Sequence, residues 1–181
     1  MIERMASCAC GRVQLKLAGA PILGAACCCS DCQAGGRLIE ALPHAAAIRD
    51  EFGGTPYLIY RDDRFACMAG ADALEGIRLS EAATTTRYVA TCCNSGMYLK
   101  FGPGWWTSVY RARFPGDAPP IVLRSKVASL PAGVALPRDI PAYRGFPLKL
   151  ITRLLSARLA MWLGRSAGAG RANSPPGRTP V

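Results

Sequence analysis

Nine cysteines are spaced along this 181-residue chain in a way that suits metal binding better than crosslinking. Four of them fall in the run Cys27-Cys28-Cys29-Ser30-Asp31-Cys32. Cys8 and Cys10 form a C-x-C pair near the start, Cys92 and Cys93 are adjacent far downstream, and Cys67 stands alone. Thiolates at C-x-C and C-x-x-C spacing can converge on one soft ion, for which zinc is the expected occupant. An odd number of cysteines, three of them consecutive, fits poorly with complete pairing into disulfides. Residues 1–8 have no apolar core of signal-peptide type, so a reducing cytoplasm is the expected localisation, where the thiols stay free for metal.

A structural zinc site takes short chelating pairs from remote segments, and Cys8/Cys10 with Cys92/Cys93 fits that design. Side chains of adjacent residues leave the backbone in different directions. Cys93 is therefore the stronger candidate of its pair, and Cys92 joins it only if the backbone there is irregular. In the 27–32 run, Cys27, Cys29 and Cys32 form a C-x-C-x-x-C set. Either a water or a ligand thiol takes the fourth tetrahedral position, making the site functional, or Cys28 or another residue closes a second structural site. One or two zinc ions are expected in all.

These residues must be positioned by a mainly β chain. The segment 12–18 alternates Val13, Leu15 and Leu17 with Arg12, Gln14 and Lys16, the period of a half-buried strand leaving the Cys8/Cys10 pair. Further strands are expected at 55–61, 64–69, 76–80, 86–91, 97–101, 107–110 and 121–123, punctuated by Gly, Pro and Asp as antiparallel structure requires. Short helical turns are expected at 34–42 and 125–130. The proline-rich stretch 131–147 reads as a connector. Residues 148–163 read as an amphipathic helix, with Leu150, Ile151, Leu154, Leu155, Leu159, Met161 and Trp162 on one broad apolar face and Arg158 in its middle. The expected organisation is a zinc-binding β domain over 1–137, the connector and basic helix over 138–165, and a disordered tail over 166–181.

Half of the residues are hydrophobic, enough for a core that needs no crosslinks. The net charge of +10 is concentrated at the C-terminus, since 138–181 holds Arg138, Arg144, Lys149, Arg153, Arg158, Arg165, Arg171 and Arg178 against Asp139 alone. No nucleic-acid partner is expected, because the cations are thinly spread and no recognition motif accompanies them. Two fates suit the basic helix: docking onto the domain's own apolar surface, or peripheral contact with an anionic membrane through Lys149, Arg153, Arg165 and Trp162.

The motifs Cys8-Ala-Cys10-Gly11 before a strand, Cys27-Cys28-Cys29-Ser30-Asp31-Cys32-Gln33, Phe52-Gly53-Gly54-Thr55 and Cys92-Cys93-Asn94-Ser95-Gly96 resemble the family of glutathione-dependent formaldehyde-activating enzymes and centromere protein V. The likeness spans roughly residues 5–125 and is nearest to a branch with a downstream Cys-Cys-Asn segment. It implies a zinc-centred antiparallel β fold with two metal sites. Cys8 and Cys10 would be structural ligands, and Cys27, Cys29 and Cys32 would hold a functional zinc. The family's downstream C-x-x-C becomes Cys-Cys-Asn-Ser here, which leaves the structural site one ligand short unless Cys92 and Cys93 both reach the metal. The implied activity is that of a carbon-sulfur lyase acting on adducts between a thiol such as glutathione and a small aldehyde; the alternative is a non-enzymatic zinc-binding structural or interaction module. The proton-transfer group is not identified.

Other residues carry plainer expectations. His44, the sole histidine, reads as a surface-loop residue, and Cys67 as a small apolar residue filling a strand core. Trp105 and Trp106 read as packing aromatics. Ser30 and Asp31 read either as hydrogen-bond partners of the thiolates or as residues that shape the loop.

Overall fold

The computed structural model describes residues 2–116 and 118–165. In chain order the elements are β1 (Glu3–Ser7), β2 (Gln14–Ala18), β3 (Leu23–Cys27), α1 (Ser30–Glu40), β4 (Thr55–Arg61), β5 (Phe65–Ala69), β6 (Leu74–Ile77), β7 (Thr85–Ala90), β8 (Ser95–Phe101), β9 (Trp106–Tyr110), β10 (Arg124–Ser125) and α2 (Leu148–Arg165). They build a three-stranded sheet, β1-β2-β5, and a seven-stranded sheet, β10-β3-β4-β9-β8-β7-β6. Pairing is antiparallel except between β10 and β3. The chain is thus mainly β with a C-terminal helix, as expected.

Strand periodicity divides the interior into two cores. In β4 the side chains alternate between the faces of the large sheet. Leu58 and Tyr60 join Leu15 and Leu17 of the small sheet, with Met97 and Val109. Tyr57 and Ile59 join Ile39 of α1, Tyr110 and, from α2, Leu150. Burial on both faces explains why β4 reads as an almost continuous apolar run. Each core carries one group of cysteines at its margin: Cys8 and Cys93 on the first, Cys27, Cys29 and Cys32 on the second.

Several expected boundaries move. β1 and β3 have weak strand sequences, ERMAS and LGAAC, and form through pairing to β2 and to β4. A Cβ at Gly24 would overlap the Pro120 carbonyl oxygen, so β3 gives up side-chain bulk to let residues 120–123 run alongside it. That explains the expected strand at 121–123: Ala26 N–H donates to Leu123 O and Val122 N–H to Gly24 O, yet regular pairing is confined to β10. The strand expected at 76–80 is instead β6, in register with β7 from Leu74 to Ile77. Where short helical turns were expected at 34–42 there is a full helix, and it begins earlier, at Ser30, where Cys29 caps it. The turn expected at 125–130 is a short 3-10 turn, Val127–Ser129.

Helix α2 forms where expected, but its buried face is narrower than the sequence suggests. Leu150, Ala157 and Met161 are buried and Leu154 half-buried, whereas Ile151, Leu155, Leu159 and Trp162 are exposed. Contact with the domain is one ridge wide and is fixed by Trp105. Its indole N–H donates to Leu154 O at 3.1 Å, and the Arg158 guanidinium lies 5.2 Å from its ring centroid. Arg158, a flaw in the apolar wheel, is thereby accounted for as a cation stacked on an aromatic face. No helix among the described residues is long and apolar enough to cross a membrane. The tail expected at 166–181 lies outside the described residues.

Candidate metal centres

β3 delivers Cys27 at its last position, and the chain turns through Cys28 and Cys29 into α1. Cys29 is the helix N-cap, extended at φ −66° and ψ 157°, and its Sγ accepts the Cys32 N–H at 3.4 Å. Sulfur here does what a Ser or Asp oxygen does at most helix starts. The same geometry brings Cys29 and Cys32 onto one side of the first turn. The Cys27 and Cys29 Sγ atoms are 3.5 Å apart, and all three sulfurs of Cys27, Cys29 and Cys32 lie within 4.8 Å of one another. Thiolates around a tetrahedral zinc stand about 3.7 Å apart, so the donor set fits such an ion.

Cys28 points elsewhere. It is wholly buried, and a Cβ at Gly54 would lie 3.1 Å from its Sγ and 3.0 Å from an Asp50 carboxylate oxygen. Burial, then the Asp50 charge, pushes its thiol up to about 12. The small residue in the Gly53-Gly54 pair makes room for this thiol, which is neutral at physiological pH. The sequence-level option of Cys28 as a fourth ligand is corrected: among the described residues the cluster has three sulfur donors.

Hydrogen bonding polarises the three thiols. Cys29 is held down at about 2 by hydrogen bonds from Cys27 and Cys32 and by the backbone N–H groups of Cys32 and Asp31. Cys27 is raised, first by its bond to Cys29, and Cys32 is raised well above the usual thiol range by its bonds to Cys27 and Cys29 and by burial. Of the three, Cys29 is the sulfur that gives up its proton first. The α1 N-terminus, with its free N–H groups, favours that negative charge.

A polar shell surrounds the cluster on the second core. The Tyr57 hydroxyl donates to Cys32 Sγ at 3.7 Å, and its ring lies 5.1 Å from that of Tyr110. Arg87, at 2% exposure, donates from Nη2 to the Asp31 carbonyl at 2.7 Å, while its Nε is buried without a partner. No carboxylate forms an ion pair with Arg87 among the described residues. A Cβ at Gly35 would overlap Arg87 Nε, so this glycine lets the guanidinium lie flat along α1. Beside it, Asp31, Arg87, Ser80, Thr84 and Thr85 line a cleft of about 280 Å³. The sequence reading missed Arg87, Tyr57, Tyr110 and Gly35. They lie on β4, β7, β9 and α1, and no local spacing links them.

The second cluster sits where β1 leads into Cys8 and where β7 turns into β8. Sγ separations are 3.5 Å for Cys8–Cys10, 3.8 Å for Cys8–Cys92, 3.3 Å for Cys10–Cys92 and 3.9 Å for Cys92–Cys93. All four sulfurs lie within 4.8 Å of one another. Adjacent cysteines therefore do share one centre, because the backbone is irregular there: Asn94 is left-handed at φ 53° and the Cys93 N–H closes a turn on Ala90 O. The irregular backbone that Cys92 needs in order to join the cluster is thus present.

Ser95 supports the cluster from outside it. Its Oγ accepts the Ala9 N–H at 3.0 Å, which leaves its hydroxyl proton free for Cys93 Sγ at 3.2 Å. Burial opposes ionisation of Cys93, but the Ser95 bond and those from Cys10 and Cys8 bring it down to about 6. Cys92 is raised to about 12 by burial and by its bonds to Cys10 and Cys8. Val13 N–H donates to Cys8 Sγ at 3.2 Å. Burial lowers the Arg113 guanidinium below its usual range, an effect partly offset by the charges of Cys93 and Cys8; the residue is 7% exposed.

Both clusters can hold a metal ion. The remaining cysteine, Cys67, is half-buried in β5 against the first core, with its Sγ 3.3 Å from Ala69 O. His44 is an exposed loop residue at φ 59°, as expected.

No family model matches the sequence, and no curated protein matches it. Among solved structures the chain is similar to the crystal structure of a Rhodobacter sphaeroides protein, with 16% identity and a TM-score of 0.44, over 78% of this chain and 99% of that one.

Proposed function

We propose that this chain is a zinc protein akin to the formaldehyde-activating and centromere protein V family, with a structural ion at Cys8, Cys10, Cys92 and Cys93 and a functional one at Cys27, Cys29 and Cys32. One observation carries the distinction between the two sites: among the described residues the first cluster gathers four sulfurs and the second three, with Cys28 turned away from it. A structural zinc is closed by four protein ligands, and a functional zinc keeps one position for water or substrate.

The activity proposed is that of a carbon-sulfur lyase on thiol–aldehyde adducts. In the forward direction a sulfur–carbon bond forms as the carbonyl π bond opens, and the thiol proton passes to the carbonyl oxygen; reversal returns all three. Zinc supplies Lewis acidity in such a site, favouring a thiolate or polarising a carbonyl. The chain's own residues support negative charge there. The N–H groups of Asp31 and Cys32 point at Cys29, Tyr57 donates to Cys32, and the Arg87 cation lies behind Asp31. The adjoining cleft, with Ser80, Thr84 and Thr85 on its wall, offers room for a small polar substrate.

A second reading, a non-enzymatic zinc-binding module, is favoured by Tyr57. It is the side chain that hydrogen-bonds to the three-thiol cluster from outside it, and burial raises its pKa well above the usual tyrosine range, which suits it to hold a proton rather than relay one. Elemental analysis of wild type, Cys10→Ser and Cys29→Ser, combined with magnetisation-exchange NMR of a glutathione–formaldehyde adduct, separates the readings. Two zinc ions per chain and exchange that is lost in Cys29→Ser, with the fold kept, support the lyase. Two ions with no acceleration of exchange leave the module, and a folded wild type without metal removes both.

A further inference from the structure

The exposed side of α2 carries a second apolar stripe that the domain does not use. Leu148, Ile151, Leu155, Leu159, Trp162 and Leu163 all face solvent, with Leu148 at 73% and Trp162 at 67% exposure. At 100° per residue they span about a third of the helix circumference, roughly opposite the docked ridge of Leu150, Leu154, Ala157 and Met161. Phe146, just before the helix, is exposed as well and lies under the Lys126 ammonium, 4.5 Å from its ring centroid. A contiguous patch of this kind on a soluble surface marks an interaction site.

We propose that this stripe is a docking face for an anionic lipid bilayer, on which the helix lies in the interface plane without spanning it. Charge selects this occupant. From residue 140 to the end the sequence holds Arg144, Lys149, Arg153, Arg158, Arg165, Arg171 and Arg178 and not one Asp or Glu. Lys149 is exposed on one flank of the stripe, where its long side chain can reach phosphate while the leucines enter the acyl boundary; Arg153, beyond it, donates to Ile22 O at 3.2 Å, and Arg158 on the other flank stacks on Trp105, so both add positive potential beside the stripe. Trp162 is the residue type that prefers this depth. A second copy of the chain is a poorer occupant, because two such helices side by side bring cationic flanks together with no acid on either helix to offset them. The docked ridge holds α2 against the domain through Trp105, so the apolar stripe is presented outward.

Co-sedimentation of the full chain with vesicles of equimolar phosphatidylcholine and phosphatidylserine, and with phosphatidylcholine alone, tests this. The expected result is binding to the anionic vesicles that weakens at high salt, with little to neutral ones. Leu155→Glu and Leu159→Glu change exposed side chains and leave the docked ridge intact, so the double variant should keep its far-ultraviolet dichroism and thermal midpoint while binding at least about tenfold more weakly. Brominated lipid should quench Trp162, read as the difference between wild type and Trp162→Phe. Absence of binding to anionic vesicles overturns the proposal. So does a concentration-dependent dimer that the same double variant renders monomeric, which would make the stripe a contact between copies.

Discussion

Arg113 is a buried cation that interacts electrostatically with Cys93. Its side chain is 7% exposed, no ion pair joins it to an acid among the described residues, and the charges that act on it are those of Cys93 and Cys8. An isolated buried charge costs several kcal/mol, so the position is stable when the sulfur cluster itself is negative. Four thiolates around a divalent ion carry two negative charges. Arg87, buried more deeply still, instead donates to the Asp31 carbonyl in the first turn of α1. Replacing Arg113 by Met should therefore weaken metal binding at Cys8, Cys10, Cys92 and Cys93 by at least about tenfold, and Lys should restore part of it. Competition with a chromophoric chelator reads both; equal affinity in Met and Arg forms would refute the charge argument.

Cys28 is a packing residue between two candidate metal ligands. Cys28→Ala should leave the metal stoichiometry of the chain unchanged and cost about 1 kcal/mol for the lost sulfur contact under Gly54. Metal analysis and denaturant unfolding check the two halves separately. Loss of an ion in this variant would return Cys28 to the ligand set.

Metal affinity at the three-thiol cluster should rise with pH. Cys27 and Cys32 are raised above the usual thiol range while Cys29 is depressed, so near neutrality the metal-free cluster carries two protons that the ion must displace. Their release gives a gain of up to about a hundredfold per pH unit, continuing until those two thiols ionise. The depressed thiol works in the same direction on folding: its contribution is present above the unfolded thiol pKa and is lost as pH falls towards the folded one. Chelator competition at successive pH values measures the slope, and a flat profile would contradict the assigned protonation.

Gly35→Ala should destabilise the domain by about 1–3 kcal/mol, since its Cβ would overlap Arg87 Nε and the buried guanidinium has little room to retreat. The same change should lengthen the Arg87–Asp31 bond and alter the absorption spectrum of the cobalt-substituted three-thiol cluster. Thermal unfolding together with that spectrum distinguishes a local overlap from a general loss of helix.

Much of the architecture was legible because it follows local rules. The period-two pattern of Val13, Leu15 and Leu17 marks β2, and the apolar run of β4 marks a strand buried on both faces. β1 and β3 escaped notice because Glu-Arg-Met-Ala-Ser and Leu-Gly-Ala-Ala-Cys lack strand propensity and acquire it from their neighbours. The two faces of α2 were also indistinguishable in sequence, since leucines that dock and leucines that meet solvent obey the same periodicity.

For the metal centres the division is similar. Spacing alone determined that Cys27, Cys29 and Cys32 can meet, because a cap and the first turn of a helix bring such positions together whatever surrounds them. It also determined that Cys8 and Cys10 form a pair. Only the tertiary structure decided that Cys92 and Cys93 both join that pair, that Cys28 turns away to Gly54, that Arg87 reaches the Asp31 carbonyl and that Arg113 is buried within electrostatic reach of Cys93 and Cys8. Those relations depend on backbone direction at Asn94 and on contacts between segments far apart in the chain, which residue spacing does not encode.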